Sequence, residues 1–575
     1  MWVPDPLGSS FFQMEVTGEK TSEQALRWYA QKAFSGLPAF LILAIAALLF
    51  ALPMLIYGPM VDGHDTYEHL NYSYHFSQQF WKGEWYPRWL TGMNHGLGSP
   101  SLFVYPPLPS YVYALLEPAG KIGHVNAFRM EEFLVLFGSG VCAFLWLSTM
   151  VDWGIALAGA VFYMLMPYHL AVDYYRRTAL SECWALAWMP LILYLGAKTI
   201  LRKERAHQVG LAVACALLIL SHVVSALMFF LIPMAVAISS SPRGQKLRFL
   251  LRVAGPMLLG VGLSSFYLVP ALFHARYFPV SRLPLWSNLQ ANLLTLRKLY
   301  ESSGFIRTIA FTTFDMIALC AICGVLVLLK SRDPSSRKQA SFWLAVCIIP
   351  TFLMSSLSFP VWKLFPSLFA AVQYPWRFNV VLCLASAAIV VVFLSEIWSL
   401  SRLSRGVALL LLFAATNPWL ISYGIIWRRY QTQTAQQKPP VNDDDGWFPA
   451  WSVPGIDETS ALRASREPKV RFLGIAGTSN VRRWEPRHIE FQTDSPTGGP
   501  VMINQFYYPS WTASAAGAVQ PLEVKAAMPE GLLELEVPGG RQEVRVDMPI
   551  GLSERVGRWV SALCVVLSAM LAWKK

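Results

Sequence analysis

Residues 63–69, Gly-His-Asp-Thr-Tyr-Glu-His, bring together side chains that can exchange protons or hold a phosphate. Asp65 and Glu68 lie three residues apart, and His64 and His69 flank them. His69 lies four residues after Asp65, so the two share a face if this stretch is helical. Asp65 is therefore the first candidate for chemistry, and His69 would orient it or contact a phosphate. The alternatives are a solvated loop carboxylate and a partly buried interfacial histidine.

The position of this motif suggests what kind of substrate it would meet. It follows the first long apolar run, Gly36 to Tyr57, which is long enough to cross a hydrocarbon core about 30 Å thick. The motif would then lie just outside a membrane helix, where a lipid-borne substrate presents its head group. Chemistry on a membrane-anchored substrate is the resulting hypothesis.

The composition supports a membrane protein. Of 575 residues, 54% are hydrophobic and 14% charged, with mean hydropathy +0.40, whereas soluble domains carry about 25% charged residues. The net charge of +12 comes from lysines and arginines in short loops between apolar runs, which is the positive-inside pattern of cytoplasmic loops. Nucleic-acid binding is therefore not expected.

Hydropathy and charge parity predict a polytopic α-helical protein with about twelve transmembrane helices. A cytoplasmic segment, 1–35, precedes a transmembrane domain, 36–426, that carries a long outer loop at 58–129. The short Pro-rich segment 106–120 is interpreted as a helix in the outer interface, and both termini are placed in the cytoplasm. The predicted spans are 36–57, 130–150, 154–172, 180–200, 207–222, 224–240, 250–272, 314–330, 340–358, 376–398, 405–426 and 557–573.

The stretch 427–556 predicts an extracytoplasmic β-rich domain, sandwich-like, before the final helix and basic tail at 557–575. The stretch 431–445 is interpreted as its linker, and Pro538-Gly539-Gly540 as a hairpin turn between its last two strands. The predicted strands are 469–475, 488–492, 501–506, 522–525, 532–537 and 543–546.

Ionisable residues gather at the predicted outer helix ends rather than at mid-depth, which favours a boundary site over a proton-coupled transporter. Arg88, Arg177 and Arg377 are candidate phosphate ligands, because a guanidinium binds phosphate through two hydrogen bonds. Each is alternatively an interfacial cation. Glu182 is a candidate to hold a cation or to pair with Arg177. Tyr105, among the interfacial aromatic residues, is either part of an ordinary aromatic belt or of a platform for a sugar or prenyl chain.

No metal cofactor is implied by a recognised motif. His64, Asp65, Glu68 and His69 do not have the spacing of a zinc site, and Mg²⁺ or Mn²⁺ bound through oxygen would leave little trace in a sequence. A divalent cation therefore stays an open alternative. The eight cysteines lie in or beside apolar segments, which implies no disulfide framework.

Several motifs resemble those of the bacterial membrane proteins labelled 6-pyruvoyl-tetrahydropterin synthase-related. They are GHDTYEH, G-x-x-YPRW at 83–89, N-x-G-x-G-x-P at 94–100, YPPLPSY at 105–111, DYYRR to Ser181-Glu182 at 173–182, and QYPWRF at 373–378. The resemblance spans about residues 36–400. It implies the C-type (GT-C) membrane glycosyltransferase superfamily, whose members use a polyprenyl-phosphate sugar and keep an acidic catalytic residue in the first outer loop. Carried to this chain, that residue is Asp65, and Glu182 or Asp173 would be the second acid.

The resulting hypothesis is a glycosyltransferase of the bacterial cytoplasmic membrane, with a polyprenyl-phosphate sugar donor and an extracytoplasmic acceptor. In it Asp65, His69 and Glu182 are catalytic, and Arg88, Arg177, Arg377 and Tyr105 bind the substrate. Two rivals remain: a lipid-linked glycan transporter or flippase, and a non-catalytic scaffold for envelope assembly with the same fold.

Overall fold

The computed structural model describes most of the chain. The described residues are 22–59, 63–118, 121–201, 204–242, 244–278, 289–302, 304–366, 372–397, 402–433, 465–516 and 520–573. The predicted cytoplasmic segment 1–35 lies partly outside these ranges, and the predicted linker 431–445 lies almost wholly outside them.

The chain up to residue 433 is helical. Its α-helices in order are α1 Ser22–Tyr57, α2 Thr66–Phe80, α3 Leu108–Leu116, α4 His124–Leu147, α5 Trp153–Leu165, α6 Leu180–Leu201, α7 Arg205–Ser221, α8 Val223–Phe229, α9 Leu231–Ser240, α10 Lys246–Leu263, α11 Ser265–His274, α12 Leu289–Asn292, α13 Lys298–Glu301, α14 Gly304–Lys330, α15 Pro334–Met354, α16 Phe359–Leu364, α17 Asn379–Glu396 and α18 Arg402–Gln433. A π-helix, Tyr168–Arg177, lies between α5 and α6, and a last helix, α19 Leu552–Trp573, follows the strands.

Within the described part of the chain, eight helices are long and apolar enough to cross a membrane. The number is nine if α10 and the helical stretch Ser265–Tyr277, which meet at 69°, form one bent span. The predicted count of about twelve is therefore not confirmed. The intervals 207–222, 340–358 and 405–426 are helical, as α7, α15 and α18, but these helices are not among the eight. α3 has nine residues, fewer than half of the roughly 20 that a span requires.

One antiparallel sheet of six strands forms the C-terminal region. The strands are β1 Val470–Phe472, β2 Thr478–Glu485, β3 His488–Phe506, β4 Thr512–Ala515, β5 Val524–Ala527 and β6 Leu532–Asp547. β3 and β6 pair along most of their length. On its other edge, β3 pairs first with β2 and then with β1. On its other edge, β6 pairs first with β5 and then with β4.

The hairpin turn predicted at Pro538-Gly539-Gly540 is wrong. β6 runs through these residues without reversing, and Gly498 of β3 is paired with Pro538. Gly498 has φ +69°, and a Cβ there would collide with the backbone carbonyl of Val537. A glycine is needed because the two strands approach too closely for a side chain where the ladder is interrupted. Four predicted short strands are therefore two long ones. The predicted strands 488–492 and 501–506 both belong to β3, and 532–537 and 543–546 both belong to β6.

The sheet shares its core with the first loop, which we define as residues 58–123, between α1 and α4. Trp89, Leu97 and Phe103 pack in the same hydrophobic cluster as the buried residues of the strands. Trp89 is fully buried and its indole N–H donates to Gln505 Oε1 at 2.7 Å, while Gln505 Nε2 donates to the carbonyl of Gly96 at 2.8 Å. The C-terminal region is thus packed against the loop that carries the candidate motif.

Replacing Gln505 by Leu should loosen this junction. The change leaves the buried indole N–H of Trp89 and the carbonyl of Gly96 without their partner, at a cost of about 1–3 kcal/mol for each group. The measurement is the midpoint of thermal unfolding of the purified protein in detergent. The control is Gln542→Leu, because Gln542 bonds only locally, to the carbonyl of Gly539. Equal midpoints for the two variants would contradict the assigned role of Gln505.

Candidate active site

Arg177 lies at the centre of a cluster of carboxylates. Its Nη2 is 3.0 Å from Asp65 Oδ2, and its Nη1 is 2.6 Å from both Asp173 Oδ1 and Glu182 Oε2. The side chains of Arg177, Asp173 and Glu182 are nearly inaccessible to solvent, at 4%, 0% and 1% exposed. We call these four residues, together with Arg377, the Arg177 cluster. The structure therefore brings together Asp65, Asp173 and Glu182, all of which the sequence had suggested as acids.

The backbone explains why three acids reach one guanidinium. Asp173 and Arg177 lie four residues apart in the π-helix, a wide helical turn that is often found at functional sites. Thr178 follows in the left-handed conformation, with φ 56°, and this turn directs the chain into α6, whose first turn carries Glu182. The two acids of this segment therefore both reach Nη1 of Arg177.

Asp65 enters the cluster from the first loop. Its backbone N–H donates to the carbonyl of Arg177 at 2.8 Å, so main chain and side chain contact the same residue. Asp65 is the N-cap of α2, but its carboxylate makes no capping hydrogen bond to that helix. The carboxylate is instead held by Arg177, which is the kind of charge-assisted pairing that fixes orientation.

The members of the cluster differ most in accessibility. The side chain of Asp65 is 35% exposed, whereas those of Asp173 and Glu182 are sealed in the interior. A substrate can therefore reach Asp65 among the three carboxylates without rearrangement of the helices. Within the described residues, the side chain that donates to the Asp65 carboxylate is Arg177, and it donates to Oδ2. The other oxygen, Oδ1, is therefore left for a substrate.

Arg377 is a second cation at the same place. Its Nε lies 3.7 Å from Glu182 Oε2, and its Nη1 donates to Gln373 Oε1 at 2.7 Å. It belongs to a 3-10 turn, Pro375–Phe378, whose Trp376 ring lies 5.0 Å from the Arg177 guanidinium. Because Arg377 is 11% exposed and less tightly paired than Arg177, it is the better placed of the two to bind an incoming anion.

His69 and Tyr105 form a pair of their own beside the cluster. Tyr105 Oη lies 3.4 Å from His69 Nε2, and the two rings meet edge to face. Burial lowers the pKa of His69 to about 4, against the smaller opposing influence of Asp65. Burial likewise raises the pKa of the Tyr105 phenol. His69 is therefore neutral at pH 7, and Arg177 rather than His69 is the side chain that orients Asp65.

Arg88 lies elsewhere. Its Nε is 3.0 Å from Glu554 Oε2 on α19, its Nη2 donates to the carbonyl of Phe266 at 2.6 Å, and its side chain is 1% exposed. Arg487 of the sheet region pairs with the same Glu554 at 2.8 Å. Arg88 thus helps to join the first loop to α19 and the sheet. The predicted phosphate-binding role would require a phosphate to displace Glu554, so the structure does not bring Arg88 into the candidate site.

Sequence reasoning missed two contributors. Tyr168 donates from its hydroxyl to Glu182 Oε1 at 2.9 Å, and Trp376 packs against Arg177 and against Tyr374, whose ring centroid is 4.9 Å away. Trp376 stands in the QYPWRF motif, which could have drawn attention to it. Tyr168 carries no such signal, because its hydroxyl meets Glu182 only through the π-helical path of the chain.

The donor set does not match a divalent-cation site made by the protein alone. Among the described residues, no group of three or more His, Cys, Asp or Glu side chains is arranged to hold a metal ion. The three carboxylates of the cluster converge on the Arg177 guanidinium, so their shared point is already occupied by a cation. A requirement for Mg²⁺ or Mn²⁺ stays a prediction, and no step is derived through a metal.

Comparison with protein families gives one match. The family model described as 6-pyruvoyl-tetrahydropterin synthase related domain, membrane protein, matches residues 102–426, which are 325 of the 575 residues. The matched range contains Tyr105, Asp173, Arg177, Glu182 and Arg377. No curated protein matches the chain.

Solved structures of three different proteins are similar to the chain. Oligosaccharyltransferase AglB from Archaeoglobus fulgidus, in complex with an inhibitory peptide and a dolichol-phosphate, has a TM-score of 0.46 at 12% identity, over 71% of this chain and 57% of its own. Arabinofuranosyltransferase AftD from Mycobacteria has a TM-score of 0.39 at 15% identity, over 69% of this chain and 26% of its own. ArnT from Cupriavidus metallidurans bound to undecaprenyl phosphate has a TM-score of 0.30 at 13% identity, over 62% of this chain and 78% of its own. The chain thus spans little more than half of AglB and about a quarter of AftD.

Removing the central cation should unfold the cluster. Arg177→Leu would leave the buried carboxylates of Asp173 and Glu182 without their main partner, which costs about 3–5 kcal/mol. Arg307→Leu is the control, because Arg307 is exposed and makes only a ring contact with Phe311. The measurement is the unfolding midpoint in detergent, together with the yield of folded protein. A midpoint for Arg177→Leu equal to that of the control would refute the central role of Arg177.

Stability should also depend on pH through His69. Its folded pKa of about 4 lies below the ordinary histidine pKa of 6.5, so the unfolded chain binds more protons between these two values. The free energy of unfolding should therefore fall as the pH drops from 6.5 to 4, by up to about 3 kcal/mol. The measurement compares unfolding at pH 7 and pH 5 for the wild type and His69→Gln. The wild type should lose more stability than the variant, and parallel pH profiles would count against a buried neutral His69.

Proposed function

The chain belongs to the 6-pyruvoyl-tetrahydropterin synthase-related family of membrane proteins, and from this premise we propose that it is an integral membrane glycosyltransferase. It moves a sugar from a polyprenyl-phosphate carrier to an acceptor outside the cytoplasm. The donor is lipid-borne because the proposed site lies where the first long apolar helix ends, so a lipid phosphate at the membrane surface can reach it.

One observation carries the proposal: a single accessible carboxylate, Asp65, is held in place by a buried and fully paired cation. Glycosyl transfer to a hydroxyl needs a base at the acceptor and a group that stabilises the departing phosphate. Asp65 supplies the base, since its Oδ2 is held by Arg177 while its side chain as a whole is 35% exposed. Asp173 and Glu182 hold Arg177 and take no direct part, because they are sealed from substrate.

The reaction is a direct displacement. Asp65 Oδ1 accepts the proton as the O–H bond of the acceptor breaks, and the acceptor oxygen forms a bond to the anomeric carbon of the sugar. The bond from that carbon to the phosphate oxygen breaks, and its electron pair leaves with the polyprenyl phosphate. A mechanism through a covalent sugar intermediate would need two carboxylates flanking the bond, and one carboxylate of the cluster is accessible.

Arg377 is the proposed ligand of the departing phosphate. Arg177 forms close ion pairs with three carboxylates, and Arg88 forms one with Glu554. The carboxylate nearest to Arg377 is that of Glu182, at the longer distance of 3.7 Å. Nearby rings offer a wall for the sugar or the first prenyl unit: Trp376 stacks on Tyr374 and meets Phe305 edge to face, and Phe305 contacts His64. Aromatic faces of this kind present apolar surface with directed polar edges.

The remaining components of the site keep supporting roles. His69 lies in the first turn of α2, contacts Tyr105 and is neutral at pH 7, so it adds no charge beside Asp65. The sheet region is packed against the first loop and would present the acceptor or hold the loop in place. The proposed location is the bacterial cytoplasmic membrane, with the sheet region on the extracytoplasmic side.

The test is Asp65→Asn, which keeps the side-chain shape and a hydrogen bond to Arg177 but removes the base. Purified protein is incubated with radiolabelled polyprenyl-phosphate sugars, and transfer to lipid or glycan acceptors is measured. Loss of a general base lowers the rate by about 10²- to 10⁴-fold. Glu68→Gln is the matched control, since it removes one negative charge three residues away on the same helix, and it should keep most of the activity.

The same variant separates the proposal from its rivals. Full transfer by Asp65→Asn would remove Asp65 from the mechanism. Complementation of a deletion strain by Asp65→Asn without sugar transfer in vitro would favour a scaffold. Movement of a labelled lipid-linked glycan across a vesicle membrane, unchanged in Asp65→Asn, would favour a flippase.

A further inference from the structure

A groove with a volume of about 500 Å³ opens between α7, α10 and α19, far from the Arg177 cluster. Two arginines of α10 stand on its walls, and its remaining surface is largely apolar. The residues that matter here are Gln208, Arg248, Leu251, Arg252, Leu259 and Leu571.

The groove exists because three helices that touch at one level separate at another. A methyl group added at Gly260 of α10 would collide with the Ala212 carbonyl of α7, and one at Gly262 would collide with Cys564 of α19. At Gly255, which is more than one turn closer to the start of α10, no neighbouring atom lies within 4 Å of such a methyl group. The helices are therefore in contact around Gly260 and splay apart toward the start of α10.

The charges of the groove are uncompensated. Arg248 and Arg252 lie one turn apart on α10, and neither forms an ion pair with a carboxylate in the described part of the chain. Among the described residues that line the groove, none is an Asp or a Glu. Arg248 is exposed, and Arg252 is half-buried with a ring contact to Phe249. Two adjacent guanidiniums without an acid partner can bind one phosphate together.

The groove lies at the opposite end of the helices from the first loop. Glu554, near the start of α19, pairs with Arg88 of the first loop, whereas Leu571, near its other end, lines the groove. These residues are 17 positions apart, or about 25 Å along a helix axis. This is close to the thickness of a hydrocarbon core, about 30 Å, so the two sites lie near opposite surfaces of a membrane.

We propose that this groove is a binding site for an anionic membrane phospholipid, separate from the proposed transferase site. The phosphate of the head group binds Arg248 and Arg252, and an acyl chain lies along Leu251, Leu259 and Leu571. Basic pockets between membrane helices are known to bind anionic head groups. An apolar wall next to paired arginines fits a lipid phosphate better than a free one, which would leave the apolar surface uncovered.

Head groups that carry a hydroxyl fit best. Pro256 lies within α10 and has no N–H, so the carbonyl of Arg252, four residues earlier, lacks its helical hydrogen bond. A glycerol hydroxyl can donate to this carbonyl while the phosphate binds the two guanidiniums. The bound lipid would stabilise the separation between α10 and α19 at this end. Glu554 lies at the other end of α19, where it pairs with Arg88.

The experiment titrates phosphatidylglycerol into the full-length protein in detergent and counts bound lipid by native mass spectrometry. The double variant Arg248→Gln/Arg252→Gln should bind about 25-fold more weakly, since each near-surface basic residue contributes roughly a factor of five. Arg332→Gln/Arg337→Gln is the matched control, with the same loss of charge at two exposed positions outside the groove. It should bind as the wild type does.

Further arms decide the outcome if the double variant does not fold. Gly255→Leu fills the groove without changing a charge and should also weaken binding. Phosphatidylethanolamine, which has no net charge, should bind the wild type more weakly than phosphatidylglycerol, and inorganic phosphate should not compete at equal concentration. Equal losses in both double variants, unchanged binding by Gly255→Leu, or competition by inorganic phosphate would each overturn the proposal.

Discussion

The arrangement of the helices depends on the solvation of buried charge around Arg177. Moving an ion out of water costs several kcal/mol even after the protein relaxes, and the cost is recovered only with close partners in good geometry. Three carboxylates meet Arg177 at 2.6–3.0 Å, and they come from the first loop, the π-helix and α6. Because the buried carboxylates of Asp173 and Glu182 depend on Arg177 as their main partner, these contacts hold the three elements in one relative placement.

A second junction of buried charge places the sheet region. Glu554 of α19 forms ion pairs with both Arg88 of the first loop and Arg487 of the sheet region, while the indole N–H of Trp89, next to Arg88, donates to Gln505. Since Asp65 and Trp89 belong to the same loop, the position of the sheet is coupled through α2 to the proposed base. The C-terminal region therefore contacts the loop that carries Asp65, through Trp89, Gly96 and their neighbours.

The sequence predicted features that consecutive residues determine, and it did not predict contacts between residues that are distant along the chain. The end of the first apolar run and the GHDTYEH motif placed Asp65 correctly beside α1, because both are properties of consecutive residues. The partnership of Arg88 with Glu554 joins residues 466 positions apart, and neither residue carries a signal of the other. Pro538-Gly539-Gly540 has the composition of a turn, yet these residues continue a strand because the opposing Gly498 accommodates their close approach.

The two ends of the helices use arginine in opposite ways. At the first-loop end Arg88 and Arg177 are buried, and Asp65, Asp173, Glu182 and Glu554 neutralise them. At the groove end Arg248 and Arg252 reach the surface without an acid in the described chain to match them. In the proposed function, the first arrangement holds Asp65 in one orientation, because its partner Arg177 is itself fixed by two buried carboxylates. The second arrangement leaves two guanidiniums for the proposed phospholipid head group.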